Sequence, residues 1–207
     1  MAVCIRLHIK VLTNPINFSI ETMLNRMREV YRTAGVGVEV VSREDLTPVT
    51  IGMANFNTLN SLDVGACQRG TPSNEQIQLF QHHHRIVPSR RPFEIVVYFV
   101  QDVQVTAGPN PGAKNGCASH PDGRPGAAIA SIASQWTLAH EVGHVLRLGH
   151  VGAAEHQGCP AATPECCSTP ATTRLMTGCS TSRITGTPTF SHDEQHTILR
   201  SHLIHSC

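Results

Sequence analysis

The apolar residues at the start of the chain alternate with other residues and then change to a helical period. An alternation with a period of two predicts a strand that has one buried face. Residues 20–31 instead carry apolar side chains every three or four positions, which predicts an amphipathic helix that begins after Ser19 and ends near Gly35. Alternation returns in residues 36–46 and predicts a second strand. The alternating positions of the first strand are Val3, Ile5, Leu7, Ile9 and Val11.

The middle of the chain contains two apolar segments that differ in side-chain size. Residues 93–103 (FEIVVYFVQDV) are almost continuously apolar, which is typical of a strand buried on both faces. Residues 127–134 (AAIASIAS) are small and predict a short strand. Residues 73–87 predict a short helix, and residues 106–126 are rich in glycine and proline and predict a long loop.

Two more helices are predicted in the second half of the chain. Residues 134–148 are rich in apolar side chains, and residues 190–205 close the chain as a helix that begins with a capping box of Ser191 and Glu194. The order is therefore strand, helix, strand, helix, strand, strand, helix, loops, helix, which predicts an α/β (α+β) fold. Since no repeat or linker divides the sequence, residues 1–207 are expected to form one domain.

Composition changes this picture little, but it argues against several kinds of partner. The chain has 207 residues, of which 40% are apolar, so a globular domain with a sizeable core is expected. Lys and Arg total 16 against 15 Asp and Glu, and a net charge of +1 gives no reason to propose nucleic acid or an anionic membrane. No apolar run approaches the length of a membrane span. A monomer is favoured, although the sequence leaves the oligomeric state open.

The cysteines bear on the cellular compartment. Their even number favours disulfides and a secreted, extracellular protein over a set of reduced, buried thiols, and the sequence assigns no pairing. The N-terminus, however, lacks the apolar core and the cleavage site of a signal peptide. Secretion is therefore expected from the cysteine count alone. The eight cysteines are Cys4, Cys67, Cys117, Cys159, Cys166, Cys167, Cys179 and Cys207.

Residues 140–150 read HEVGHVLRLGH and carry the candidate chemistry. His140 and His144 are four residues apart, which places both imidazoles on one face of a helix, close enough to share one metal ion. Glu141 lies beside the first of them, where its carboxylate can take a proton from a water molecule that zinc activates. A chance pattern on a helix is the alternative, but the apolar residues between the histidines favour a metal site.

A catalytic zinc needs a third protein ligand, and His150 is the nearest candidate. On a continuing helix His150 would lie about 9 Å beyond His144 and about 240° around the axis, out of reach of the same ion. The helix must therefore end after His144 and the chain must turn back. A residue with positive φ allows this turn: either Arg147, at a cost of about 1 kcal/mol relative to glycine, or Gly149.

Several other polar residues offer alternatives. The last helix could supply an acidic third ligand, Asp193 or Glu194, provided that it faces the zinc helix. The three histidines at 82–84 cannot share one ion on a helix, because successive side chains point about 100° apart. His120 and His156 flank the motif and could contact a substrate, but a position on a loop surface is favoured for both.

The pattern His-Glu-x-x-His-x-x-x-x-x-His resembles the zinc signature of the metzincins, whose eighth position is normally glycine but is Arg147 here. Met176, in RLMTG at 174–178, lies where that family has its Met-turn, and it is expected to underlie the three histidines. The order of elements resembles a metzincin catalytic domain over nearly the whole chain. The resemblance implies a twisted mixed sheet with a zinc-binding helix and a C-terminal helix.

The segment HPDGRPGAAIAS resembles the loop and edge strand that precede the zinc helix in matrixin-like metzincins. In those proteins the edge strand pairs with the substrate backbone, so that the peptide is added to the sheet as an extra strand. The resemblance therefore implies that residues 126–132 bind substrate through Ala128, Ile129 and Ala130.

Together these features predict a zinc-dependent endopeptidase that acts on a polypeptide substrate. One catalytic Zn²⁺ would be held by His140, His144 and His150, with Glu141 as the general base. The competing hypothesis is a zinc-containing peptide-binding module in which Arg147 obstructs the site. The presence of Glu141 argues against it, because a site without catalysis has no use for a base there.

Overall fold

The computed structural model describes residues 2–82, 94–151, 172–178 and 180–207. The strands are β1 (Val3–Val11), β2 (Val36–Asp45), β3 (Ser61–Asp63), β4 (Ile95–Val100), β5 (Asp102–Val105), β6 (Gly112–Lys114), β7 (Gly116–Cys117), β8 (Gly126–Ala130), β9 (Thr172–Arg174), β10 (Ile184–Thr189) and β11 (Ile204–Ser206). The helices are α1 (Ile20–Arg32), α2 (Pro48–Ile51), α3 (Met53–Asn60), α4 (Asn74–Gln81), α5 (Thr137–Val145) and α6 (His192–Leu199).

The main sheet is mixed, and it confirms the predicted fold class. Strands β2, β1, β4 and β8 lie side by side and parallel, and β7 closes one end of the sheet antiparallel to β8. A smaller sheet contains β3, β5 and β6, and a third pairs β9 with β10. Among the described helices, none combines the length and the apolar character needed to span a bilayer.

Both faces of the main sheet are covered, which explains the continuous apolar sequence of β4. On one face Val97 of β4 is fully buried in the same cluster as Met27 of α1 and Val142 of α5. On the other face Val96 and Tyr98 are fully buried in a second cluster, together with residues of β3 and α4. A strand that is buried on both faces needs apolar side chains at every position.

Helix α1 fixes the position of the helix that carries the candidate site. Ser19 accepts a hydrogen bond from the backbone N–H of Thr22, so the predicted N-cap is confirmed. At the other end of α1, the hydroxyl of the fully buried Tyr31 donates to the backbone carbonyl of Ala139 in α5, at 3.0 Å. This contact and the apolar packing around it hold α5 against the sheet.

The end of the chain differs from the sequence prediction. Ser191 and Glu194 do form the predicted capping box, but α6 ends at Leu199 instead of continuing to residue 205. The last residues form β11, which pairs antiparallel with the first residues of β1. The prediction of one helix over 190–205 was wrong, because the open edge of β1 offers backbone partners that a helical periodicity cannot reveal.

The prediction that residues 126–132 form an edge strand was also wrong. Strand β8 is paired on both sides: Ala128 lies opposite Tyr98 of β4 and opposite Cys117 of β7. Ala128, Ile129 and Ala130 are buried, so a substrate backbone cannot reach them. The edge position belongs instead to β7, which the glycine- and proline-rich sequence around it concealed.

One disulfide of the predicted set is present among the described residues. Cys67 and Cys117 are joined, which attaches the loop around residue 67 to the edge strand β7. Cys4 is buried and Cys207 is exposed, and both are free thiols in the described structure. The remaining four cysteines lie outside the described residues, and secretion remains a prediction.

Candidate metal centre

Helix α5 carries two histidines on one face. Their Nε2 atoms, in His140 and His144, lie 3.1 Å apart, as the spacing of four residues predicts. The start of the helix is anchored by three buried hydroxyls, because Ser134 and Thr137 both hydrogen-bond to Thr181 at 2.8 Å. These bonds also hold the segment that begins at Ser180 against the N-terminal end of α5.

The helix ends where the metal-site hypothesis requires. The N–H of Leu148 donates to the carbonyl of Gly143, and the N–H of Arg147 donates to the carbonyl of His144, both at 2.9 Å. These two bonds form a Schellman motif, in which the residue after the C-cap takes a left-handed conformation. Arg147 has this conformation, with φ = 78°, whereas Gly149 is not among the residues with positive φ. The arginine itself therefore makes the turn for which the metzincin signature has a glycine.

The turn returns His150 to the two helical histidines. Its Nε2 lies 3.0 Å from the Nε2 of His144, and a donor atom from each of the three side chains lies within 4.8 Å of the other two. Among the described residues this is the cluster of His, Cys, Asp or Glu side chains that could hold a metal ion.

The backbone fixes which nitrogen of each helical histidine faces the cluster. Nδ1 of His140 contacts the carbonyl oxygen of Leu175 at 2.7 Å, and Nδ1 of His144 contacts that of Leu148 at 2.8 Å. Since a carbonyl oxygen can only accept, each Nδ1 carries the proton and each Nε2 presents a lone pair. Such carbonyl partners are typical of metal-ligating histidines, whose orientation they hold.

This donor set fits zinc. Lone pairs that face each other at about 3 Å repel unless a cation lies among them. Zinc binds imidazole nitrogen at about 2.0–2.1 Å in tetrahedral geometry, which separates neighbouring ligand atoms by about 3.3 Å. The observed separations of 3.0 and 3.1 Å are close to that value.

Burial keeps the histidines neutral, which is the form that binds metal. The pKa of His140 falls from 6.5 to about 3, because the side chain is buried and, to a lesser extent, because His144 is close. Burial also lowers the pKa of His144. Neither imidazole therefore needs to lose a proton at neutral pH before it can ligate a metal.

Glu141 is buried next to the ligands, and burial raises its pKa to about 8. Its carboxylate faces β7, where Gly116 leaves room for it. A Cβ at Gly116 would lie 2.7 Å from Cγ of Glu141 and 2.9 Å from its Oε1. Gly116 is thus a functional position that sequence analysis missed, and its only signal was a glycine within a loop-like segment.

Met176 packs against α5. It is fully buried, and a Cβ at Gly143 would lie 2.5 Å from its sulfur atom. The carbonyl of Met176 also accepts a hydrogen bond from the N–H of Val151, at 2.8 Å. Met176 therefore contacts the turn of α5 between the two helical histidines, although its role as a Met-turn stays a prediction.

The two acidic candidates for the third ligand are not at the site. Glu194 forms an ion pair with Arg174 at 2.7 Å and accepts a hydrogen bond from the N–H of Ser191. Asp193 is exposed, on the same helix. Glu194 is thus occupied by its cap and its ion pair, and Asp193 faces solvent.

The histidine cluster opens into a cleft of about 890 Å³. Its lining includes Asn115 and Gly116 at the start of β7, and Gly178 and Ser180. The side chains of Asn115 and Ser180 approach to 3.3 Å. His120 lies in the predicted loop and is half-buried where that loop lines the cleft, and its contact with a substrate stays a prediction. His156 lies outside the described residues, as do two of the three histidines at 82–84.

Comparison with known proteins supports the fold. No protein-family profile and no curated protein matches the sequence. Among solved structures, metalloproteinase-II from Bacteroides fragilis is 14% identical with a TM-score of 0.54, and the match covers 96% of this chain and 52% of that one. Archaemetzincin from Methanopyrus kandleri is 15% identical with a TM-score of 0.50, and the match covers 95% and 94%.

The chain therefore spans about half the length of the Bacteroides protein and nearly all of the archaeal one. At this identity the likeness shows that the chain shares the fold of these two proteins. The histidine cluster adds a donor set for a metal, which the chemistry of three imidazoles suggests is zinc.

Replacement of Gly116 by alanine is expected to lower turnover at this site about 10-fold or more while zinc stays bound. The new methyl group would displace the carboxylate of Glu141, because its three nearest atoms, at 2.7–3.0 Å, all belong to the Glu141 side chain. Initial rates and zinc content measured on the same sample check this. Gly37→Ala is the matched control, because a Cβ at Gly37 meets only ordinary contacts at 3.5 Å or more. Equal activity of the two variants would contradict the placement of Glu141.

The metal-free protein should lose stability in acid because of His140. The unfolded chain takes up a proton near pH 6.5 and folded His140 does so only near pH 3, so the free energy of unfolding falls as pH drops through that interval. The slope for this residue is at most about 1.4 kcal/mol per pH unit. Glu141 acts oppositely below about pH 8, so the wild type must be compared with His140→Asn.

Urea unfolding of both metal-free proteins, at about pH 7 and about pH 5, measures the difference. The wild type should lose more stability than the His140→Asn variant over this interval. Equal losses of unfolding free energy in the two proteins would show that His140 takes up its proton in the folded state as readily as in the unfolded state.

Proposed function

We propose that this protein is a zinc-dependent endopeptidase of the metzincin type. The observation that carries the proposal is the convergence of three Nε2 atoms, from His140, His144 and His150, directly beside the buried carboxylate of Glu141. Both features open into one cleft that is large enough for a peptide.

The three histidines would hold the zinc ion through Nε2, with Leu175 and Leu148 fixing the rings of the helical pair. When bound, zinc supplies a Lewis acid that polarises the scissile carbonyl and lowers the pKa of a water molecule to about 7. Met176 would support the helix turn between His140 and His144 through its contact with Gly143.

Glu141 would move the proton. The positive charge of a bound zinc ion would lower the pKa of Glu141, which burial alone raises, so that the ionised carboxylate would accept the proton of the attacking water and later deliver it to the nitrogen of the leaving amine. The burial of Glu141 beside Gly116 restricts where the carboxylate can point, so it is held at the base of the cleft. A single carboxylate can perform both transfers because the carbonyl carbon that the water attacks and the leaving nitrogen are bonded to each other.

The substrate backbone would lie along β7 instead of β8. Gly116 and Cys117 form the last strand of the main sheet among the described elements, and this strand borders the cleft. A peptide added along the outer side of β7 would lie beside Asn115 and Gly116, which line the cleft. The backbone pairing expected from the family is therefore retained in the proposal, but at a different strand.

The competing hypothesis, a peptide-binding module without catalysis, depended on Arg147 obstructing the site. The structure favours the enzyme on this point, because Arg147 forms the turn that returns His150 to the cluster and its side chain is exposed. The cleft remains open beside it.

Metal analysis and a proteolysis assay on the same purified sample test the proposed function. We expect about one zinc per chain and casein digestion that stops with a chelator and returns when zinc is added. Zinc binding without digestion of casein or any other unfolded protein would favour the binding module. A protein with no bound zinc after incubation in zinc would contradict both hypotheses.

A further inference from the structure

Three cationic side chains from three separate segments line the cleft: Arg69, Lys114 and Arg147. Arg69 lies in the loop that the Cys67–Cys117 disulfide ties to β7, and Lys114 ends β6. Arg147 lies at the turn after α5. Arg69 and Arg147 are exposed and Lys114 is half-buried, so all three can reach a bound molecule.

These cations have no carboxylate partner among the described residues. The ion pairs of the described structure involve other basic side chains, such as Arg6, Lys10 and Arg174. The described lining of the cleft contains one carboxylate, that of Glu141, which is buried at its base. A cleft that is lined by three unpaired cations has a positive electrostatic potential, which attracts anionic groups.

Arg147 adds a second observation. Its backbone has φ = 78°, a conformation that costs a non-glycine residue stability. A glycine would make the same Schellman turn without this cost. Its side chain is exposed and makes no hydrogen bond or ion pair among the described residues. Arginine at this position weakens the turn but places a positive charge at the cleft. Binding of an anionic ligand by that charge would explain why the residue is arginine.

We propose that the cleft selects acidic peptides, with Arg69, Lys114 and Arg147 binding side-chain carboxylates on either side of the scissile bond. This substrate class rests on the proposed endopeptidase function, although the carboxylate-binding cleft can be tested without cleavage. Arginine pairs with carboxylates through two parallel hydrogen bonds, so the two arginines would contribute more directional contacts than Lys114.

Peptide binding tests the proposal independently of catalysis. The zinc-loaded Glu141→Gln variant would be titrated into fluorescent peptides that differ only in Glu, Gln or Lys at the positions flanking one central bond. We expect the Glu peptide to bind at least about fivefold more tightly than the Gln peptide, and the Lys peptide to bind most weakly. The preference should shrink as salt rises from about 0.02 M to about 0.5 M.

Charge removal then assigns the preference to the three residues. Arg69→Gln, Lys114→Gln and Arg147→Gly, each combined with Glu141→Gln, should each lower the Glu-to-Gln preference about two- to fivefold and leave Gln-peptide affinity unchanged. Arg28→Gln is the matched control, because Arg28 is a half-buried cation on α1 that does not line the cleft. Arg147→Gly should also raise the melting temperature by about 2–4 °C.

The outcomes separate the two proposals. Equal binding of the Glu and Gln peptides, or a preference that survives all three substitutions, would overturn the acidic substrate class even if casein is digested. A preference for Glu peptides that the substitutions remove would support it even if no peptide is cleaved, in which case only the endopeptidase function fails. If Arg147→Gly were more stable than the wild type but no longer preferred the Glu peptide, the arginine would be shown to serve binding.

Discussion

Glu141→Gln is expected to reduce peptide cleavage about 10²- to 10⁴-fold while zinc binding and the fold stay intact. Glutamine has nearly the same shape as glutamate, so it fits the space that Gly116 leaves, but it cannot accept the proton of the attacking water. The substitution also removes a buried carboxyl group, so the thermal stability should not fall at neutral pH. Turnover of a quenched fluorescent peptide, zinc content and melting temperature measure the three effects.

Glu21→Gln is the control for the loss of a carboxylate. Glu21 lies in the first turn of α1, and its side chain is 65% exposed, so activity should be unchanged. If Glu141→Gln were to keep more than about a tenth of the wild-type rate, Glu141 could not be the general base. If it lost zinc together with activity, the loss of turnover could not be assigned to proton transfer.

His150→Gln is expected to weaken zinc binding by more than about 100-fold, beyond the effect of losing an outer-shell partner of a metal ligand. The two histidines of α5 would remain close to each other, but two imidazoles leave the tetrahedral set incomplete. The melting temperature should then no longer rise when zinc is added, because a ligand stabilises only in proportion to its occupancy. A competition titration with a zinc-binding dye gives the affinity.

His192→Gln is the matched control, since His192 is a fully exposed histidine on α6. Its zinc affinity and zinc-dependent melting temperature should match those of the wild type. Unchanged zinc affinity in His150→Gln would show that the turn at Arg147 does not bring a ligand to the site. The ion would then have to be bound through other side chains.

The parts of the fold that the sequence could predict are those that local patterns determine. The alternation in residues 3–11 and the capped periodicity after Ser19 each involve a single element and its own local sequence. The strand β11 and the edge position of β7 depend on which backbone edges are left open by other strands. That information is non-local, and Gly116–Cys117 is too short to show any period.

The same distinction applies to the candidate site. The spacing of His140 and His144 fixes their relative position on a helix, and the reach of His150 required a bend, which the structure shows at Arg147. Gly116 could not be identified, because its importance comes from close contact with the side chain of Glu141, which is distant in the sequence. The sequence also could not predict that three cations line one cleft. Arg69, Lys114 and Arg147 are distant in the sequence, and they come together only through the disulfide, β6 and the turn after α5.

X-ray absorption at the zinc edge of the zinc-loaded protein tests the central claim most directly, because it reports the atoms bound to the ion. The account predicts about three imidazole nitrogens and one oxygen at about 2.0–2.1 Å, and a loss of one imidazole in His150→Gln. Sulfur scattering at about 2.3 Å, or a coordination shell that is the same in the wild type and in His150→Gln, would contradict it.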